Sequence, residues 1–301
     1  MQSISGVCAS AVAIALGVTA CDAFVDVDRY RTASASPPTG KDAAVESIDP
    51  PGEYDSLKLT LLAMRPHIDQ LFEYRVIDSN NFIQSRGFIK PLGAENVTID
   101  APYSVPKVNG PFHLDLWADV QGLGYYNGIG SVISNDHAWR IDPLADYPAG
   151  AVMHVDGLIQ VTFTHNTSFT DINQWPVGTM NPPHDTGLGA TLHVLNAGAF
   201  QGDLIQVRIF DTDAKRTVGL YRVPQVTQAT FDLVIPGVVE SGAAYAAMVY
   251  VDANGNGTYD NPAMGGGDLG WSVAGVATDS GLVVTVDGQM TSSATVDVGQ
   301  P

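Results

Sequence analysis

The sequence has almost no cysteine: two residues in 301, Cys8 and Cys21. No disulfide framework can carry the fold, so each domain must stand on its own apolar core. Positive charge is equally scarce. Lys and Arg total 14 against 32 Asp and Glu, for a formal net charge of −18. A surface of that sign suits neither nucleic acid phosphates nor a polybasic membrane patch. The apolar run Val7–Val18 falls short of the about 20 residues that a spanning helix needs. No window holds a helical stripe between caps. The motifs of nucleophilic and phosphate chemistry are missing too. There is no Gly-x-Ser-x-Gly, and no Gly-Lys-Ser/Thr accompanies Gly122-Leu123-Gly124 or Gly265-Gly266-Gly267. These absences favour a non-enzyme with no catalytic residues. What is present is apolar material, 45% of the chain, enough for packed cores and too much for wholesale disorder.

The first twenty residues read as a targeting segment. The small and apolar stretch from Val7 ends in Val18-Thr19-Ala20-Cys21, followed by Asp22. This resembles the lipobox of bacterial lipoproteins, although Met1–Ser5 carries no Lys or Arg. The resemblance implies removal of residues 1–20, lipidation of Cys21 as the first mature residue, and an envelope location on the outer membrane or cell surface. Removal of Cys8 would leave Cys21 an odd thiol in an oxidising compartment, which lipidation resolves. A plain secretory signal cut near Ala20 and a buried N-terminal helix are the alternatives. Residues 21–55 then read as the lipid anchor and a flexible tether. They contain Ser-Ala-Ser-Pro-Pro-Thr-Gly (34–40) and Asp49-Pro50-Pro51-Gly52, which suit extended, solvated chain.

The remainder reads as all-β. Leu57–Leu62, Phe72–Ile77, Leu204–Phe210 and Leu282–Val286 are enriched and partly alternating in the manner of strands, and turn residues separate them. The stronger signal is repetition at a constant offset of 133 positions: Leu59 and Leu192, Arg75 and Arg208, Asp119 and Asp252. Shifted by one residue, Asp136 and Trp139 answer to Asp268 and Trp271. We therefore place one β-sandwich unit at 56–173 and a second at 188–301, with 174–187, rich in Pro, Gly and Asn, as linker. Arg75 and Arg208 are expected on a solvent face or sheet edge. Trp139 and Trp271 are expected in the cores.

The second unit carries Asp252-Ala253-Asn254-Gly255-Asn256-Gly257-Thr258-Tyr259-Asp260. Oxygen side chains at alternating positions around a glycine-rich turn are what a hard Ca²⁺ ion requires. The segment follows the start of an EF-hand loop but has Ala263 at the twelfth position, where a bidentate Glu belongs. It more closely resembles the calcium loops of prealbumin-like and CnaB-like sandwich modules. That resemblance implies two tandem Ig-like or prealbumin-like sandwiches, with Ca²⁺ held by Asp252, Asn254, Asn256, Thr258, Asp260 and a later acid, Asp268. The other reading is a bare Asn-Gly hairpin turn. The equivalent loop of unit one has Asp119, Gln121, Leu123 and Asn127. Leu123 offers no ligand, so that copy is expected to keep the turn without the ion.

Six of the seven histidines precede the second unit: His67, His113, His137, His154, His165 and His184. No pair has a metal-ligand spacing, so they read as surface or turn residues. A meeting of His154 and His165 near His137 is the metal alternative. Three functions follow. The leading one is a membrane-tethered, non-catalytic binding or structural module, stiffened by calcium, with a glycan or an envelope protein as partner and no nucleic acid. The second is a carbohydrate-binding lipoprotein using Trp117, Tyr125, Tyr126 and Tyr259 as exposed stacking platforms. The third is a metal-handling or redox lipoprotein using the unit-one histidines. The lipobox makes a direct prediction. Cys21→Ser should abolish incorporation of labelled fatty acid and move the protein from the membrane pellet to the soluble fraction. An unmodified Cys21 in intact-mass data would overturn it.

Overall fold

The computed structural model describes residues 53–130, 135–142, 152–155, 157–257, 260 and 267–289. Cys21, Thr258 and Tyr259 lie outside this set. The described residues form an all-β fold. The strands of the first half are β1 (Tyr54–Leu62), β2 (Phe72–Ile77), β3 (Ile83–Ile89), β4 (Val97–Pro106), β5 (His113–Ala118), β6 (His137–Ile141), β7 (Val152–Val155) and β8 (Leu158–Thr164). Those of the second half are β9 (Leu188–Leu195), β10 (Leu204–Asp211), β11 (Arg216–Val223), β12 (Phe231–Val239), β13 (Ala244–Asp252), β14 (Leu269–Val276) and β15 (Leu282–Asp287). Tyr54 and Asp55, read as the end of the tether, belong to β1.

The halves repeat one topology except for β7, which has no counterpart among the described residues of the second. In the first, an outer sheet β4-β1-β8-β7 faces an inner sheet β3-β2-β5-β6; in the second, β12-β9-β15 faces β11-β10-β13-β14. Register repeats as well. Leu59 lies beside Val161 on a parallel neighbour, and Leu192 lies in the same way beside Val284. Leu116 pairs with Trp139, and Val249 with Trp271. Each half closes around its own apolar cluster. Leu59, Phe72, Tyr74, Leu116 and Trp139 lie in the first, and Leu192, Val207, Val249 and Trp271 in the second.

The halves are not beads on a linker. β3 pairs in parallel with β11, so the two inner sheets form one sheet of eight strands. Side chains alternate across a strand, and here the alternation sends neighbours into different cores. Leu220 on β11 packs in the first cluster, whereas Phe88 on β3 packs in the second, where its ring stacks on Tyr221 at 5.8 Å. The two cores therefore lie on opposite faces of the shared sheet. Each half also covers the back of the other's inner sheet. Arg222 on β11 donates to the Thr98 carbonyl of β4 at 2.8 Å, and Arg86 on β3 donates to the Pro236 carbonyl of β12 at 2.9 Å.

This arrangement explains why Arg75 and Arg208 are buried instead of lying at a solvent face or edge. On β2 the alternate residues Phe72, Tyr74 and Val76 fill the first core and turn Glu73 and Arg75 to the other face, where both are buried and Arg86 and Trp117 reach Glu73. Glu73 accepts from Arg75 at 2.8 and 3.0 Å, from Arg86 at 2.7 Å, and from the Trp117 indole N–H. Burial opposes charge on this carboxyl, but the Arg75 and Arg86 guanidiniums beside it outweigh burial and hold it below the usual carboxylate range. Asp115 and Arg140 form a second bidentate pair at 2.6 and 2.8 Å. Arg140 also donates to the carbonyls of Ile172 and Gln174, fastening the connecting segment to β6.

Removing one partner from such a network strands buried charge. Glu73→Ala should therefore lower the unfolding free energy by about 3–5 kcal/mol in urea titrations. A loss below about 1 kcal/mol would show that the network contributes nothing net.

Candidate functional site

The acidic loop of the second half leaves β13 at Asp252, whose carboxylate is buried. Its Oδ1 accepts from the N–H groups of Gly255 and Asn256 at 2.8 and 3.1 Å, and its Oδ2 from Gly257 at 2.7 Å. Asp268, just before β14, accepts from Ala253 at 3.1 Å and from Asp260 at 2.7 Å. Burial raises the Asp268 carboxyl above its usual range. The loop curls because Gly255 and Gly257 take positive φ, 74° and 82°, which costs a glycine little. At the mouth of the loop, the side-chain amides of Asn254 and Asn256 converge on Asp260 Oδ2 at 2.7 and 2.5 Å.

The first half repeats the frame. Asp119 accepts from the N–H groups of Leu123 and Gly124 at 3.0 and 2.7 Å, and Asp136 accepts from Val120 and Asn127 at 3.2 and 3.1 Å. Gly122 and Gly124 have φ of 72° and 80°. Of the proposed ligands, then, Asp252 and Asp268 belong to a scaffold that both halves share. Asn254, Asn256 and Asp260 form a polar cluster whose first-half counterpart is the Gln121–Asn127 pair at 2.6 Å, with Leu123 in the place of Asn256. For a cation to take three side-chain oxygens there, both amides would have to rotate, and Asn254 would give up the bond its Oδ1 accepts from the Asn256 N–H at 3.0 Å.

A different cluster forms on the first half, where residues distant in sequence meet. His67 ends the short 3₁₀ turn Arg65–His67 after β1, His137 opens β6, and His165 follows β8. One ring nitrogen of each lies within 4.8 Å of the others. His67 Nε2 is 3.4 Å from His137 Nδ1. Around them stand Trp139, 5.6 Å from the His67 ring and 5.5 Å from the His165 ring, and Phe169, stacked on His137 at 4.0 Å. Burial, opposed by the hydrogen bond that His67 donates to Gln70 and aided by the neighbouring imidazoles, pushes His67 down to about 4. Burial also lowers His137 and His165. Spacing suggested surface or turn histidines; His67 lies in a turn but is buried, and His137 and His165 are partly buried. The metal alternative drawn from the sequence joined His154 and His165 near His137 and not His67, whose partners lie 70 and more residues away. The His154 side chain lies outside the described residues.

The aromatic platform does not form. Trp117 is buried against Glu73, and Tyr126 is half-buried with its hydroxyl donating to Asp171 at 3.0 Å. Tyr125 alone of the described three is exposed.

No family model matches the sequence, and none of the curated proteins is similar to it. Among solved structures, the Bacillus anthracis TIE protein is 8% identical with a TM-score of 0.21, and the match covers 77% of this chain and 33% of that one. The shaft pilin SpaA of Lactobacillus rhamnosus GG is 11% identical with a TM-score of 0.19, covering 77% and 96%. The tip fimbrial protein Mfa3 of Porphyromonas gingivalis is 11% identical with a TM-score of 0.22, covering 75% and 82%. Likeness at these scores assigns neither a family nor a function.

The shared frame is open to test. Asp119→Ala and Asp252→Ala each strip acceptors from buried backbone donors, at about 1–3 kcal/mol per stranded group. Both variants should lose stability to a similar degree in chelator, read by urea unfolding. Losses below about 0.5 kcal/mol in both would show that these carboxylates do not hold the loops.

Proposed function

We propose that this protein is a non-catalytic scaffold of the bacterial cell envelope, anchored through a lipid on Cys21 and holding two fused sandwiches clear of the membrane on the segment that precedes β1. One observation carries the reading: the eight-stranded sheet runs through both halves, with β3 and β11 hydrogen-bonded as neighbours. A hinge between two independent sandwiches would need a slender junction with few contacts. Here the junction is itself sheet, backed by the Arg86 and Arg222 bonds to carbonyls of the opposite half. Such a body transmits force and holds a surface at a fixed distance, which suits an envelope protein or a glycan as partner. With Trp117 and Tyr126 withdrawn from solvent, the glycan reading has only the exposed Tyr125 among the described rings to support it.

In the same reading, Ca²⁺ stiffens the loop of the second half through Asn254, Asn256 and Asp260, supported by Asp252 and Asp268. An ion that binds only the folded chain stabilises it by about 2.7 kcal/mol at a hundredfold excess over Kd. Calorimetry of the full chain should show one cooperative transition whose midpoint rises with Ca²⁺. Asp260→Ala should keep the single transition and lose the response, because Asp260 supplies charge to the cluster while its side chain is not part of the Asp252–Asp268 frame. Two resolved transitions would overturn the fused scaffold. An identical curve in Ca²⁺ and in chelator would overturn the calcium reading and leave the loop a turn.

A further inference from the structure

The internal repeat supplies a control for the histidine cluster. The register equates His67 with Phe200, since these residues end the matching 3₁₀ turns Arg65–His67 and Ala197–Phe200. It equates His137 with Leu269, because Ala118 pairs with His137 as Val251 pairs with Leu269. It equates His165 with Gly288, because His165 N–H donates to the Leu62 carbonyl as Gly288 N–H donates to Leu195. The tryptophan beside the cluster is conserved in place between the halves: the Trp139 ring lies 5.6 Å from His67, and the Trp271 ring 5.7 Å from Phe200. The same corner of the same sandwich is thus built once with Phe, Leu and Gly and once with three histidines. The fold does not need imidazoles there.

The local geometry is that of a ligand set. Gln70 Oε1 lies 2.9 Å from His67 Nδ1, and Gln70 Nε2 faces the Pro66 carbonyl at 3.5 Å. A carbonyl oxygen only accepts, so the His67 proton sits on Nδ1 and Nε2 presents its lone pair to His137. This is how a second residue orients a metal-binding imidazole. The 3.4 Å from His67 Nε2 to His137 Nδ1 is long for a hydrogen bond. It matches the roughly 3.3 Å between nitrogens that share a tetrahedral ion at 2.0–2.1 Å. His165 Nε2 is buried with no hydrogen-bond partner. A buried lone pair or N–H left unpaired is costly unless something else satisfies it.

We propose that His67, His137 and His165 bind one divalent transition-metal ion of the Zn²⁺ class, with Gln70 as the residue that positions His67. Three imidazoles suit Zn²⁺, Cu²⁺ or Ni²⁺ over Ca²⁺ and Mg²⁺, which prefer oxygen ligands. They also leave a fourth position free for water or for a donor from a partner. His137 and His165 are only partly buried, so that position is on the open side of the cluster. Trp139 and Phe169 wall the other side. The site is separate from the acidic loop in both place and chemistry, so it stands whether or not that loop takes calcium.

The test uses the full chain with excess Ca²⁺ present, so that oxygen sites are filled, and Zn²⁺ or Co²⁺ alone as the probe. Dialysis followed by elemental analysis should find about one ion per chain, and Co²⁺ should give the visible absorption of a low-symmetry nitrogen site. The variant carrying His67→Phe, His137→Leu and His165→Gly installs the residues that the second half already packs, and it should fold with an unchanged circular dichroism spectrum and bind no ion. Gln70→Ala should weaken binding by about 10–100-fold while leaving the stoichiometry intact. Stoichiometric Zn²⁺ binding by the triple variant would place the ion elsewhere and overturn the proposal. So would a folded wild-type chain that retains no Zn²⁺.

Discussion

The architecture depends on one contact, the parallel pairing of β3 with β11. An inner sheet of four strands ends in an edge, and an exposed edge with free N–H and C=O groups invites pairing with any other strand. Two copies of the same sandwich have the same exposed edge. In this chain they satisfy each other. The pairing is parallel, which turns the second half over, so its core forms on the opposite face of the common sheet. Each half must then cover the back of the other.

That geometry puts Glu73, Arg75 and Arg86 in the interior. In a lone sandwich the outward face of β2 is wet, and a Glu-x-Arg pattern is ordinary there. Between two halves the same residues are cut off from water and must pair completely, which they do through one carboxylate, two guanidiniums and an indole. A buried network of this kind adds less to stability than packed side chains of equal volume. Its charges pair within the first half, and the Arg86 bond to the Pro236 carbonyl ties the network to the second half.

Duplication also lets the molecule be read against itself. The Asp119–Asp136 and Asp252–Asp268 frames are the part of the acidic loops that both copies keep. Ligand-bearing side chains at the rim differ: Leu123 stands where the second half has Asn256. The histidine corner differs in the other direction, with imidazoles in the first half and Phe200, Leu269 and Gly288 in the second. Shared residues report what the fold requires. Unshared polar residues in otherwise identical settings mark where chemistry has been added.

Period and repetition make much of this legible in the sequence. Alternation and turn residues identify strands such as Phe72–Ile77, because side-chain direction in a strand depends only on local geometry. A constant offset pairs Arg75 with Arg208 and Asp119 with Asp252, because duplicated units keep their spacing. Trp139 and Trp271 were expected inside and are buried, since large apolar side chains leave water in almost any fold. The fate of Arg75, Glu73, Trp117 and His67 lay beyond such reasoning. Which residues of β2 and β3 meet solvent is decided by what packs on the sheet, and the Pro236 carbonyl that Arg86 meets on β12 comes 150 residues later. Three histidines converge because a turn, a strand start and a strand end meet at one corner of a sandwich, a juxtaposition with no spacing rule. Local chemistry determined the strands and the loops of this protein; the docking of its two halves decided which charges are buried, and the closure of the first sandwich decided which histidines meet.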